Sequence, residues 1–376
     1  MRFYRQVKQA KLHSFGEDIG ESPILRQSLS DLQREYVLAV GGTLVDIKSI
    51  HEIKYKGNYF VFKEDLFFTL PFLKASVKLA KTENKNIQFC VESNTFNQRY
   101  ILPTLIDTDE YHVYQFQFYN GNAPVELGVI NQKIYEASVD FPEQIVKNKT
   151  FSMDQCDTFA SHIISPFHLL QVNIAMNLLR TVKFQSRIPE ILRKKFGHLN
   201  SRWFYRGLKR LNKIGKNCNI HHTALIEGSV IGDNVTIGAY SVIRVSNVSS
   251  NCSIAENVTV INSVLGTGTF IANSNFIGNC LTYNEVFLIH GPYHASIFGE
   301  NSACFAVINC DIRLDQETIK IPTSQGILDS NQPLLGIAYG HRSKTGGGNI
   351  IAAGRIVPND LHITPPDNII LNFNTL

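Results

Sequence analysis

Residues 224–243 read ALIEGSVIGDNVTIGAYSVI, and their spacing decides the fold. Leu225, Ile231, Ile237 and Ile243 recur at a period of six. The pattern slips by one residue and resumes at Val248, Ile254 and Val260, then slips again to Leu265, Ile271 and Ile277. A last run takes in Thr345, Ile351, Val357, Ile363 and Ile369. The next residue is small at Gly232, Gly238, Ala255, Gly266, Ala272, Gly278, Gly346 and Ala352. A helix would require a period near 3.6 and a plain strand a period of 2. Six residues suit one short strand plus a tight corner. Three such units close a triangular coil with one aliphatic side chain per face pointing inward, and the small neighbour lets the backbone turn. A fixed short period of this kind marks a solenoid whose turns cover one another.

Outside this region the chain reads differently. Residues 1–180 lack the period and alternate strand-like and helix-like stretches, which points to an α/β layer. GNYFVFKEDLFFT, NIQFCVES and YHVYQFQFYNG read as strands, while LPFLKASVKLAKTENK and SPFHLLQVNIAMNLLRTV read as helices, the second opening on Ser165-Pro166. Asp46, Asp107 and Asp109 are candidate metal ligands that read equally as turn residues. Residues 181–216 form a basic helical linker, and the β-helix is expected over 217–376 with loop insertions at about 282–335.

Composition narrows the class. The chain has 376 residues, 44% of them hydrophobic and 18% charged, with no apolar run long enough for a membrane span. The N-terminus, MRFYRQVKQAKLHSF, lacks the apolar stretch of a secretory signal. Seven cysteines without a CxxC pair read as small core residues of a reducing compartment, so a cytoplasmic protein is expected. The net charge of +4 hides an asymmetry: residues 180–216 hold twelve Lys or Arg against one acid. That stretch reads as a helix capping the open end of the coil, or as a surface for anionic membrane or phosphorylated substrate. No base-reading motif accompanies it, so nucleic acid is not an expected partner.

The Ile-Gly-x4 units resemble the hexapeptide repeat of left-handed parallel β-helices. That family is dominated by acyltransferases using acyl-CoA or acyl carrier protein, and it also includes γ-class carbonic anhydrases. The implied fold class is an α/β N-terminal domain plus a left-handed parallel β-helix. HIISPFHLLQVNIAMNLL is similar to the segment that closes a sugar nucleotidyltransferase domain ahead of its β-helix tail. The Gly-rich loop and following Lys of that family are missing, however. Gly41-Gly42-Thr43 leads into Leu-Val-Asp, which implies a degenerate domain.

The resemblance also names candidate site residues. In hexapeptide acyltransferases a histidine acts as general base, and the interrupted stretch VFLIHGPYHAS offers His294 first and His290 second, either of which could equally cap a turn. AYGHRSKTGGGNIIAAGRIVPNDLHI is similar to the acetyltransferase domain of bifunctional N-acetylglucosamine-1-phosphate uridyltransferases. On that match His341, Arg342, Lys344, Gly346, Ala352 and Arg355 would receive acetyl-CoA or another acyl-CoA. Small residues at 346–348 and 352–354 leave room for the pantetheine arm, and the cations meet its phosphates. A three-histidine zinc site from His290, His294 and either His341 or the His221-His222 pair is a weaker alternative, and no metal is expected. The leading expectation is acyl transfer onto a sugar or nucleotide-sugar by a homotrimer with clefts between subunits. The alternative is a non-catalytic nucleotide-sugar-binding or scaffold protein.

Overall fold

The computed structural model describes residues 1–83, 85–121, 124–136, 138–140, 150–152, 154–185, 207–313, 315 and 317–364. The chain forms two compact units, Met1–Ser201 with Pro322–Asn331, and Arg202–Ile321 with Gln332–Leu376. Most of the basic segment falls at 186–206, outside the described residues, so its expected helix and membrane-facing surface lie there too. No helix among the described residues is long and apolar enough to cross a membrane.

The first unit is α/β. Strand β1 (Arg2–Gln6) is followed by a small hairpin of β2 (Pro23–Ile24) and β3 (Gln27–Ser28), then helix α1 (Leu29–Ala39) and strand β4 (Thr43–Ile47). Next come β5 (Tyr59–Lys63), β6 (Leu66–Phe68), α2 (Leu70–Glu83), β7 (Asn86–Glu92), α3 (Thr95–Tyr100), β8 (Tyr111–Tyr119), β9 (Val125–Val129) and α4 (Pro166–Gln185). Six strands pair in the order β4-β1-β5-β8-β7-β9. β1 runs parallel to β4 and β5, while β8 runs antiparallel to β5 and β7.

Local chemistry sets these boundaries. Ser28 Oγ accepts from the N–H of Asp31 at 3.2 Å and caps α1. Gly41, at φ 72°, ends that helix, and a Cβ on Gly42 would lie 2.5 Å from the Phe3 ring. The Gly41-Gly42 pair is thus a helix stop and a packing gap on the way into β4. The core beneath is aromatic, with Phe3 on Phe60 at 4.6 Å and Phe89 on Phe116 at 4.7 Å between ring centres. α2 covers it with Phe72, Leu73, Val77 and Ala80. Of the three aspartates considered as metal ligands, Asp46 pairs with Arg5 at 2.8 and 3.0 Å. Asp107 accepts from the N–H groups of Thr104 and Val113, and Asp109 is exposed.

The second unit is a three-sided coil of stacked parallel strands, two sheets of eight and one of five, forming a left-handed β-helix. Thr236 pairs with Ser253, and Ser253 with Phe270, so each of these first turns takes seventeen residues rather than eighteen. The one-residue slips in the sequence are this shortfall, one per turn. The inward residue on the first face is Ile226, which stacks on Ile243, Val260 and Ile277, whereas Leu225 stays half-exposed. Each such side chain, fully buried, contributes about 1.5–3 kcal/mol.

The corners are held by two devices. Asn234, Asn251, Asn257, Asn262 and Asn279 all sit at positive φ, where asparagine is tolerated better than most residues. The N-x-T sequons at Asn234 and Asn257 are therefore corner asparagines. Hydroxyls then tie turn to turn. Ser229 Oγ accepts from Ser246 N at 3.1 Å, Ser246 Oγ from Ser263 N at 3.2 Å, and Ser263 Oγ from Cys280 N at 3.0 Å. All seven cysteines are free. Burial pushes the Cys280 thiol up to about 12 and raises Cys304 as well, so these two are packing residues rather than nucleophiles.

The coil begins at Lys213–Ile214, which pairs with Val230–Ile231. It also keeps its register through most of the stretch expected to be looped out. Leu288 pairs with Cys304, and Tyr293 with Ile277. The interruption narrows to the excursion between Asn309 and Ala338, after which the strands re-pair as Ile297 with Ala338 and Ala303 with Lys344. Bulky inward residues at Tyr293, Phe298 and Tyr339 replace the aliphatics here, which is why the six-residue signal fades while the fold persists.

Two outcomes follow. Thr345 is fully buried inside the coil, and its hydroxyl finds no partner among the described residues. Thr345→Val is expected to raise the unfolding free energy by about 1 kcal/mol, measured by denaturant titration. In the first unit, His168 is buried between Ser165 Oγ at 2.8 Å and the Pro103 carbonyl at 3.3 Å, and burial holds it down to about 4. The unfolded chain takes up this proton near pH 6.5 and the folded one only near 4. Stability is therefore complete above 6.5 and falls by about 3 kcal/mol as pH drops to 4. His168→Gln is expected to flatten that slope in thermal melts across pH 4–7.

Candidate functional site

His294 is the last residue of Tyr293–His294, the final strand of the five-stranded sheet. Its column runs Arg244, Ile261, Gly278, His294 up one edge of the coil. A Cβ on Gly278 would lie 2.8 Å from His294 Cδ2, so the glycine leaves the space that the imidazole occupies. Asp311 lies seventeen residues further on, at the start of the excursion. Its Oδ2 is 2.7 Å from His294 Nδ1, with the histidine side chain 25% exposed and the aspartate 30%. His294 Nε2 is 3.0 Å from Asn279 Nδ2, and Asn279 Oδ1 in turn accepts from Asn262 Nδ2 at 2.9 Å. This network assigns the proton to Nδ1, facing the carboxylate, and the lone pair to Nε2. The exposed Phe276 ring stands 6.2 Å from the imidazole.

A cleft of about 210 Å³ lies along the segment that carries Asp311, and its lining includes neither His294 nor Asp311. Cys310 and Ile312 line it while the intervening Asp311 reaches His294. Ile312, Ile319, Ala352 and Ala353 give it an apolar surface, and Arg313, Lys320 and Arg355 bring three cations. Arg355 Nη1 donates to the Lys320 carbonyl at 3.4 Å, and Arg313 pairs with Asp315. The excursion thus supplies one wall and the last turns of the coil the other.

The other candidates disperse. His290 is exposed at a corner with φ 55°, the position that Ser274 and Ala306 hold on adjacent turns, and it serves the turn there. His341 is buried, its Nδ1 accepting from Glu300 N at 2.8 Å and its ring edge-on to Tyr283 at 5.1 Å. Asn284 and Asn359 play the same part on neighbouring turns, accepting from Thr267 N and His341 N, so His341 belongs to a corner ladder. Arg342 is a corner residue at φ 56° paired with Asp360 through bonds of 2.6 and 2.8 Å. Lys344 is exposed on a coil face, and Gly346 donates to the Ile363 carbonyl in the regular ladder. Of the six residues assigned to the acyl donor, the cleft takes Ala352 and Arg355. Among the described residues no group of three or more His, Cys, Asp or Glu is placed to hold a metal.

Sequence reasoning passed over Asp311, Asn279, Arg313 and Lys320. Asp311 lies seventeen residues beyond His294, but the turn before it takes sixteen, from Gly278 to His294, so turn length alone does not mark it. Nothing in the local sequence marks Lys320, which reaches the cleft only because the excursion folds back.

The family model described as Bacterial transferase hexapeptide (six repeats) matches residues 213–244. None of the curated proteins matches the chain. Among solved structures, a hexapeptide transferase family protein from Anaplasma phagocytophilum is 17% identical, the match covering 42% of this chain and 76% of that one with a TM-score of 0.21. A mutant GDP-perosamine N-acetyl transferase from Caulobacter crescentus, in complex with CoA and GDP-perosamine, is 15% identical over 49% of this chain and 70% of that one, with a TM-score of 0.13. Likeness at that level assigns neither substrate nor chemistry. The repeat matched at 213–244, continued by parallel strands stacked along the coil, makes the second unit a hexapeptide-repeat β-helix.

Proposed function

We propose that the second unit transfers an acyl group, with acetyl-CoA or a related acyl-CoA as donor, to a hydroxyl or amine of a sugar or nucleotide-sugar. The observation that carries this reading is the partly exposed Asp311–His294 pair, on a segment whose flanking residues Cys310 and Ile312 line a cleft with Arg313, Lys320 and Arg355. His294 Nε2 takes the proton of the acceptor as its oxygen or nitrogen attacks the thioester carbonyl. Asp311 holds the ring and stabilises the imidazolium that forms. When the tetrahedral intermediate collapses, the C–S bond breaks and the thiolate recovers the proton from Nε2. The acceptor's oxygen or nitrogen would stand where Asn279 Nδ2 now stands, 3.0 Å from Nε2. The apolar cleft suits a pantetheine arm, and Arg313, Lys320 and Arg355 suit phosphates. A homotrimer is the expected assembly, and the outward stack of Phe270, Phe287 and Phe305, with centroids 4.9 and 5.7 Å apart, favours a covered face.

The second reading is a non-catalytic nucleotide-sugar-binding or scaffold protein, and the Asn279 contact favours it, because that amide caps the nitrogen a base would need.

Turnover and binding separate the two. Thiol release from acetyl-CoA in the presence of a panel of UDP- and GDP-sugars should be measurable for the wild type. It should fall by roughly 10²–10⁴-fold in His294→Ala and Asp311→Asn with little change in KM. Calorimetry with CoA should give at least tenfold weaker binding for Arg355→Glu, with the loss shrinking at high salt. An absence of CoA binding, with nucleotide-sugar binding retained, would establish the scaffold reading instead.

A further inference from the structure

The sheet of the first unit contains a place where α/β proteins take ligands. α1 carries the chain from β1 to its neighbour β4 on one side, and α2 carries it from β5 toward β7 on the other. The strand order therefore reverses between β1 and β5. At such a reversal the loops leaving the two carboxyl ends part, and the crevice between them is the usual site for phosphate-bearing ligands. Here those ends are Gln6 and Lys63.

Just past β1 the backbone forms an anion cradle. Gln9 has φ 54°, and the N–H groups of Lys8 and Ala10 on either side of it converge on one point. Converging N–H groups around a left-handed residue carry a net positive potential and hold phosphate oxygens in many proteins. The oxygen at this point belongs to the chain itself. Glu64, the first residue after β5 and only 9% exposed, places Oε1 2.7 Å from Lys8 N and 3.0 Å from Ala10 N. Its backbone is fixed as well: Glu64 N donates to the Gln6 carbonyl at 3.1 Å, and Gln33 Nε2 donates to the carbonyls of Glu64 at 3.0 Å and Leu66 at 2.8 Å. Arg5 Nη1 holds Gln33 in turn, donating to its Oε1 at 2.9 Å.

We propose that Glu64 is a built-in stopper. Its carboxylate fills the phosphate position of the crevice at the β1–β5 reversal, so the native unit does not take a phosphate or pyrophosphate group there, and removal of the carboxylate opens such a site. The advantage of the internal anion is its tether. A carboxylate on the adjacent strand end is present at an effective concentration of millimolar or more, which a dilute free phosphate cannot match. Two charge-assisted hydrogen bonds in a largely buried setting strengthen its hold.

The test uses the full-length protein, with inorganic pyrophosphate as probe and sodium sulfate at equal ionic strength as control. Glu64→Ala is expected to bind pyrophosphate at least tenfold more tightly than wild type in calorimetry, and to gain several degrees in thermal midpoint that the wild type does not. Pyrophosphate held by the basic segment at 180–216 contributes equally to both proteins and cancels in the comparison. If Glu64→Ala does not fold, Glu64→Gln replaces it: the amide retains an acceptor without the charge, and pyrophosphate must stabilise it more than wild type. Equal pyrophosphate responses in wild type and a folded variant, or a stronger response in wild type, would overturn the proposal.

Discussion

Everything in the second unit depends on a ladder of parallel backbone hydrogen bonds that requires successive turns to match in length. Over the first turns it is met by seventeen residues, with Val230 over Asn247 and Asn247 over Val264. It is broken three times: Leu281 meets Ile297 after sixteen residues, Ile297 meets Ala338 after forty-one, and Ala338 meets Ile356 after eighteen. The residues of the proposed site collect at those breaks. His294 lies in the short turn, Asp311 opens the long one, and the cleft joins the long turn to the last. The regular part of the coil is a rigid base, and departures from its repeat are where side chains become free to converge.

The same constraint explains what could be read in advance. The coil was legible because inward aliphatics and small neighbours recur without regard to the rest of the chain. Its continuation through 282–309 was not, because Leu288, Tyr293, Phe298 and Cys304 satisfy the interior while abandoning the consensus. His294 could be singled out by its residue type. Its partner, Lys320 and Arg313 could not be found without the fold of the excursion. His341 and Arg342 sit at corners, where polar side chains satisfy backbone N–H groups and positive φ is required, so a corner ladder resembles a motif.

The first unit shows the opposite relation between sequence and site. Its strands and helices announce themselves by hydrophobic pattern, and Gly41-Gly42 turns out to be a helix stop packed on Phe3. The crevice position after β1 holds no glycine-rich loop, and the protein's own Glu64 carboxylate meets the N–H groups there. Polar groups at the end of a sheet must be satisfied whether or not a ligand is bound, and an internal carboxylate achieves this permanently.

A stacked coil behaves as a one-dimensional array, cohering only through contacts between adjacent turns. The cleft has one wall from the long excursion and the other from the turn after it, so it lies across a junction of that array. Any molecule seated there would touch both sides and act as a rivet, slowing the fraying of the terminal turns. Occupancy and the cohesion of the C-terminal end are thereby linked, and the far end of the solenoid becomes a mechanical reporter of what the cleft contains.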